Sequence, residues 1–271
     1  MKMIHINKLK IVSVLFIVLA FAGCTTDETQ TVATFNTLVM ADEFDNTGAP
    51  DPDMWTYNIG TGSNGWGNNE LQYYTDRPEN VIVEGGTLKI TARPESFEGS
   101  GYTSARLITK GLFEKQYGRF EARIKMPFGQ GIWPAFWMLG NDIDEVSWPQ
   151  CGEIDIIENF GRNPTVITGA VHGPGYNAGD AIFKDYDLVN ERIDTDFHIY
   201  GIEWGPNYIN YYVDDVLYNQ ITPEDVPGEW VFDHPFFMIL NVAVGGNAVG
   251  SPNETTQFPQ TMYVDYIRVY E

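Results

Sequence analysis

The chain reads as an all-β domain, an antiparallel sandwich of many short strands. Three observations predict this. Apolar runs of strand length recur along the chain, several of them alternating with polar residues. Gly, Pro and Asn/Asp pairs punctuate these runs, and no segment carries apolar residues at helical spacing. Composition agrees: aromatic residues make up 14% and are spread along the chain, beside 27 Gly and 15 Pro. A hydrophobic content of 43% over 271 residues supports a sizeable core, and no repeat or linker divides it.

Taken in order, Val81–Val83 and 87–92 are strand-like and flank Glu84-Gly85-Gly86, a tight hairpin turn. Residues 118–126 alternate, with Phe120, Ala122 and Ile124 set against Arg119, Glu121, Arg123 and Lys125. Residues 132–139 are almost continuously apolar, and a loop then runs to Gln150. Val166–His172 precedes a Gly-rich loop at 173–179. Residues 197–204 and Tyr208–Val213 pair around Gly205-Pro206-Asn207, and Asp214-Asp215 turns into Val216–Ile221. Phe236–Val244 is a buried strand ended by Gly245-Gly246, and 262–270 alternates to the end. Ser104-Ala105-Arg106 sets a cation in a strand. So many short antiparallel strands in one domain imply a β-sandwich of jelly-roll type.

The first residues read as a targeting segment. Lys8 and Lys10 precede an apolar run at 11–22, within signal-peptide length and too short to span a bilayer. The division expected is a signal peptide at 1–23, a polar tether at 24–37 and one folded domain at 38–271. Phe21-Ala22-Gly23-Cys24 resembles a bacterial lipobox, which would lipidate Cys24 and anchor the chain to a membrane. Asp27 and Glu28 resemble acidic surface-export signals. The expected location is the outer membrane or cell surface, with ordinary secretion as the alternative. Lipidation of Cys24 leaves Cys151 without a disulfide partner. The formal charge is -21 and grows more negative when Lys2, Lys8 and Lys10 leave with the signal peptide. Such a surface excludes nucleic acid and disfavours anionic membranes as partners. A monomer is expected.

Residues 152–161 hold the chemistry. Glu153, Asp155 and Glu158 interrupt a run otherwise built of Ile154, Ile156 and Ile157. Side chains alternate along a strand, so Glu153 and Asp155 share a face, whereas the odd offset puts Glu158 on the other. One extra residue between Asp155 and Glu158, a β-bulge, would return it to the same side. Without the bulge, Glu158 would be an unpaired charge in the core. Acids on a strand face are ordinarily only solvated. Here the isoleucines argue for a central strand, where crowded carboxylates repel and raise one another's pKa. That suits a pair in which one must stay protonated as an acid, and two carboxyl groups flanking one bond is what glycoside cleavage needs. Trp133 and Trp137 lie four apart, on one strand face, and indoles stack on the C–H faces of sugars. Trp66 and Trp148 sit in loops; Trp55, Trp204 and Trp230 suit the core equally. Asn68 lies in a Gly-rich loop with amides for hydroxyls, Arg106 supplies a cation, and His172 follows the acids by one strand. No Cys/His cluster, phosphate loop or Ser/His/Asp motif appears.

The motif GEIDIIE resembles the Glu-x-Asp-x-x-Glu signature of glycoside hydrolase family 16, in the bulged form of the laminarinases. WGNNELQYY (66–74), YTSARLIT (102–109), GIWPAFWMLG (131–140), FHIYGIEW (197–204), NVAVGG (241–246) and VDYIRVY (264–270) resemble laminarinase segments in the same order. The resemblance covers 40–271. It implies a concanavalin A-like jelly roll with a concave cleft that cuts β-1,3-glucan internally, with retention. Glu153 would be the nucleophile, Glu158 the acid/base, and Asp155 the residue that tunes the nucleophile. Asn68, Arg106, Trp133, Trp137 and His172 would line the sugar subsites. A structural Ca²⁺ would be held by Glu43, the Gly86 carbonyl and Asp265; catalysis needs no cofactor. Retention requires carboxyl groups about 5–5.5 Å apart. Bulged glutamates start roughly 13 Å apart at Cα, a gap that long side chains can close. The alternatives are hydrolysis of another polysaccharide, of agar, porphyran or carrageenan type, and a non-catalytic glycan-binding lipoprotein on the same fold. Mixed β-1,3/1,4 linkages are a further expected substrate.

Overall fold

Alternation sends one side of each strand inward, and the result is two sheets packed face to face. The structure is a computed structural model in which residues 35–188 and 191–271 are described; the signal-peptide and Cys24 expectations lie outside them. The ten-stranded sheet runs Val216–Ile221, Tyr208–Val213, His198–Gly205, Gly118–Lys125, Gln260–Tyr270, Leu88–Phe97, Ser100–Ser104, Gln72–Tyr74. Leu38–Asp42 pairs with Gln260–Tyr270, and Val81–Val83 with Leu88–Phe97. The eight-stranded sheet runs Ile182–Asp187, Val166–His172, Glu153–Glu158, Ile132–Gly140, Phe236–Val244, Arg106–Ile108, Thr56–Tyr57, with Glu114–Lys115 also on Phe236–Val244. Pairing is antiparallel except between Gln72–Tyr74 and Ser100–Ser104. Successive strands often change sheets, as Gly118–Lys125 and Ile132–Gly140 do.

The core between the sheets takes Phe136, Met138, Ile154, Ile157, Leu240 and Val242 from one side. It takes Phe120, Ile124, Tyr200, Trp204, Val264 and Ile267 from the other. Trp55 and Trp204 are core, while Trp230 is half-buried against it. Arg106 opens the strand Arg106–Ile108, so the expected cation does stand in a strand, and Ala105 is where the chain passes from one sheet to the other. Thr37 exchanges two backbone hydrogen bonds with Glu271, just before the first strand, Leu38–Asp42.

The strand of acids is irregular where its sequence requires. Glu153 pairs with His172, Asp155 with Ala170, and Glu158 with Thr168, so one residue is extra between Asp155 and Glu158. The neighbouring strand shows the same slip: Trp137 faces Asp155 and Phe136 faces Ile157. Ile154, Ile156 and Ile157 are all buried in the core. The bulge interrupts the ladder locally, and burial of each isoleucine, worth ~1.5–3 kcal/mol, offsets that. Gly152 launches the strand with φ +73, and a Cβ there would come within 2.9 Å of the Phe236 ring.

A second, smaller apolar cluster lies on the outer face of the eight-stranded sheet. Ile108, Leu139, Phe237 and Ile239 are covered there by Cys151, Ile143 and Trp137. The covering segment, 141–152, includes the short helix Ile143–Val146. Lys110 holds Asp144 at 2.6 Å, and Asn141 donates to Glu114 at 2.9 Å. Phe236–Val244 is thus buried along its whole length, which is why it reads as an unbroken apolar run.

Candidate active site

Register places the functional side chains in rows across the outer face. Directly opposed residues of an antiparallel pair share a face. One row is Asp155 beside Trp137; another is Glu158, Ala135, Asn241 and Arg106; a third is His172, Glu153 and Leu139. The three acids therefore face outward together.

Each acid has distinct partners. The Trp133 indole N–H donates to Glu158 Oε1 at 2.8 Å. His172 Nε2 is 3.1 Å from Asp155 Oδ2 and 3.5 Å from Glu153 Oε1. The Ala178 N–H donates to His172 Nδ1 at 3.1 Å, which leaves the proton on Nε2, toward the acids. Trp148 hydrogen-bonds Glu153, and its ring lies 6.0 Å from the His172 ring.

The electrostatics follow. Burial, reinforced by the charge of Asp155, pushes the pKa of Glu153 and of Glu158 up to about 8. Glu153 has Arg106 as a compensating cation. Glu158 lacks it and feels Glu153 as a further like charge. Arg106 thus favours the ionised form of Glu153 more than that of Glu158. Burial lowers the pKa of His172, but the Asp155 hydrogen bond and the three carboxylates outweigh that and push it up to about 10. The Ala178 N–H opposes this, since a doubly protonated ring offers it no acceptor. The geometry supports the neutral Nε2–H tautomer.

Arg106 is buried, its guanidinium 4.6 Å from the Trp66 ring and 4.7 Å from the Trp137 ring. The Trp137 N–H donates to Asn241 Oδ1 at 2.6 Å, and Asn241 donates to the Tyr74 hydroxyl at 3.1 Å. Tyr74 donates in turn to Glu70 at 3.2 Å. Asn68 hydrogen-bonds Glu70, and its carbonyl accepts the Asn247 N–H at 2.8 Å. All five expected subsite residues thus lie on or beside this face. The sequence reading missed Glu70, Tyr74 and Asn241 as a connected support, and Trp148 as a partner of Glu153. Their signals were present only as segments WGNNELQYY and NVAVGG and as an exposed loop tryptophan.

Asp265 lies in the other sheet, Glu43 directly follows its strand Leu38–Asp42, and Gly86 sits in the turn between Val81–Val83 and Leu88–Phe97. Register carries them toward one corner, since Leu88 pairs with Val264 and Asp42 with Ile267. Their oxygens suit Ca²⁺. Each carboxylate faces an arginine: Arg268 grips Glu43 at 2.7 and 2.9 Å, and Arg123 reaches Asp265 at 2.7 Å. Glu153, Asp155 and His172 form one of two groups, among the described residues, whose ligand atoms lie within 4.8 Å of one another; the other is Glu191, His198 and Asp214.

An antiparallel sandwich that presents two glutamates and an aspartate among tryptophans defines a carbohydrate-cleaving protein of glycosidase type. The model of glycosyl hydrolases family 16 matches residues 66–268, and the chain belongs to that family. It is 46% identical over 243 residues to a β-glucanase of Rhodothermus marinus, covering 86% of this chain and 84% of that one. The laminarinase catalytic domain of Thermotoga maritima superimposes with a TM-score of 0.83 at 52% identity, covering 87% of this chain and 98% of that one. Some relatives are longer: the chain spans 38% of glucan endo-1,3-beta-glucosidase A1 of Niallia circulans, at 36% identity.

Proposed function

We propose that this protein is a retaining endo-β-1,3-glucanase that hydrolyses internal bonds of laminarin-type glucans and accepts mixed β-1,3/1,4-linked glucan. The observation that carries the reading is the bulge, which turns Glu158 to the same face as Glu153 and Asp155 beside Trp133 and Trp137. Glu153, whose ionised form the Arg106 cation favours, attacks the anomeric carbon. Glu158 gives its proton to the departing glycosidic oxygen, and a glycosyl–Glu153 ester results. Glu158, now a carboxylate, takes a proton from water, which attacks the same carbon and frees Glu153. Asp155 Oδ2, 3.1 Å from His172 Nε2, holds that ring beside the nucleophile. The names of relatives, laminarinase and endo-1,3-β-glucosidase among them, support glucan over agar-type substrates.

The test is product analysis on laminarin, lichenan and agarose, with Glu153→Gln as control. Laminarin should be cut to short oligomers with β-anomeric products first, and Glu153→Gln should bind laminarin without shortening it. A wild-type protein that binds laminarin but leaves it intact is a binding lipoprotein, and the enzymatic reading ends.

A structural Ca²⁺ would be held by Glu43, the Gly86 carbonyl and Asp265, in place of the two arginines, and would supply no chemistry to the reaction. The Phe21–Cys24 segment supports export and lipidation of Cys24 at the outer membrane or cell surface; palmitate labelling lost in Cys24→Ala tests it. Size-exclusion chromatography tests the monomer.

A further inference from the structure

The edge strand Ile182–Asp187 carries Phe183, which is 58% exposed, the most exposed large hydrophobic side chain among the described residues. Single exposed apolar residues are ordinary, but an exposed phenylalanine on an open sheet edge invites edge-to-edge association. Its register gives it a use. Phe183 pairs with Ala170, Ala170 with Asp155, and Asp155 with Trp137. Opposed residues share a face, so Phe183 stands in the row of the catalytic acids. Its strand neighbours Ile182 and Tyr186 point the other way and pack against the core, with the Tyr186 ring 5.2 Å from that of Tyr218. Phe183 lies two strands beyond Asp155, roughly 10 Å away, on the side opposite the Trp137–Arg106–Trp66 stack. Ala170, between them, adds only a methyl group. Two positions along, Asp185 also faces outward and accepts a hydrogen bond from Thr168 at 2.7 Å; Thr168 itself pairs with Glu158.

We infer that Phe183 and Asp185 form a glycan-binding subsite on the far side of the scissile bond from the arginine stack. An exposed aromatic face offers a surface for the C–H face of a pyranose, and a neighbouring carboxylate accepts from its hydroxyls. The occupant is the same β-glucan chain that crosses the acids, reaching the edge of the sheet about a disaccharide away from them. This rests on the glucanase reading. It adds to that reading a subsite outside Asn68, Arg106, Trp133, Trp137 and His172, one that selects for chain length.

The experiment compares wild type, Phe183→Ala and Phe183→Tyr on end-labelled laminari-oligosaccharides from three to seven units. Phe183→Ala should lower kcat/KM about tenfold on the longest, the worth of one stacking contact, and little on the shortest. It should also move the preferred cut along the labelled hexamer, and Phe183→Tyr should restore both. An unchanged cut position and length dependence in Phe183→Ala, with wild type active, overturns the subsite and leaves the glucanase standing. Wild type inactive on every laminari-oligosaccharide overturns both. Wild type that dimerises through this edge, with Phe183→Ala monomeric and equally active, overturns the subsite alone.

Discussion

Trp133→Phe isolates the proton on which the first chemical step depends. Trp133 donates to Glu158 Oε1 at 2.8 Å, and a donor aimed at a carboxylate favours its ionised form. That hydrogen bond works against burial, which raises the pKa of Glu158. Its loss must raise that pKa further. A hydrogen bond to a charged group contributes about 1.5–3 kcal/mol. At 1.36 kcal/mol per pK unit, and with water replacing part of the bond, the shift is about one unit upward. The phenyl ring keeps an apolar face near Phe160, whose ring is 6.2 Å from that of Trp133. Because kcat/KM reports the free enzyme, the assay is its pH profile on laminarin. The alkaline limb, where Glu158 loses the proton it must donate, should move up by about one pH unit. A limb that stays in place, or moves down, would show that Glu158 is not the acid or that Trp133 does not control it.

Other outcomes follow from the same geometry. Glu158 has a folded pKa raised above its unfolded value, so its contribution to stability is present at low pH and lost as pH rises through about 8. Glu158→Gln should therefore raise Tm by several degrees at pH 9 and by much less at pH 5, while hydrolysis is abolished; equal Tm changes at both pH values would contradict the buried-charge account. Arg106→Lys keeps the charge but loses a planar group stacked between two indoles, contacts worth about 1–2 kcal/mol together. Urea unfolding should show a destabilisation of that size, and laminarin KM should rise; a variant as stable and active as wild type would mean the stack is incidental. Millimolar CaCl₂ should raise Tm without changing kcat, and Asp265→Asn should remove the response; a response kept in Asp265→Asn places any calcium elsewhere.

Strands with strong, two-sided hydrophobic signals were legible residue by residue. Val166–His172, Tyr208–Val213, Val216–Ile221 and Phe236–Val244 have the bounds their sequences suggest. Asp214-Asp215 turns with φ of 48° and 66°, as a tight hairpin requires. The bulge was legible because a wrong parity would have buried a charge. Ile182–Asp187 was not: with Lys184, Asp185 and Asp187 it has too little apolar character to stand out, as befits an edge strand. Short pieces such as Gln72–Tyr74 and Thr56–Tyr57 owe their form to neighbours far off in sequence. For the same reason the run from Trp137 through Asn241 and Tyr74 to Glu70 could not be read in advance. Trp148 reaches Glu153 only because segment 141–152 folds over the outer apolar cluster.

That outer cluster sets where this scaffold can tolerate change. Phe236–Val244 is pinned by packing on both faces, and the strand of acids is rooted by three isoleucines. Substitutions there carry a folding cost before they alter any substrate contact. The rim strand bearing Phe183 has no such double burden. The reacting acids thereby stand on the rigid middle of the sheet, while a side chain at its margin can be exchanged at a smaller folding cost.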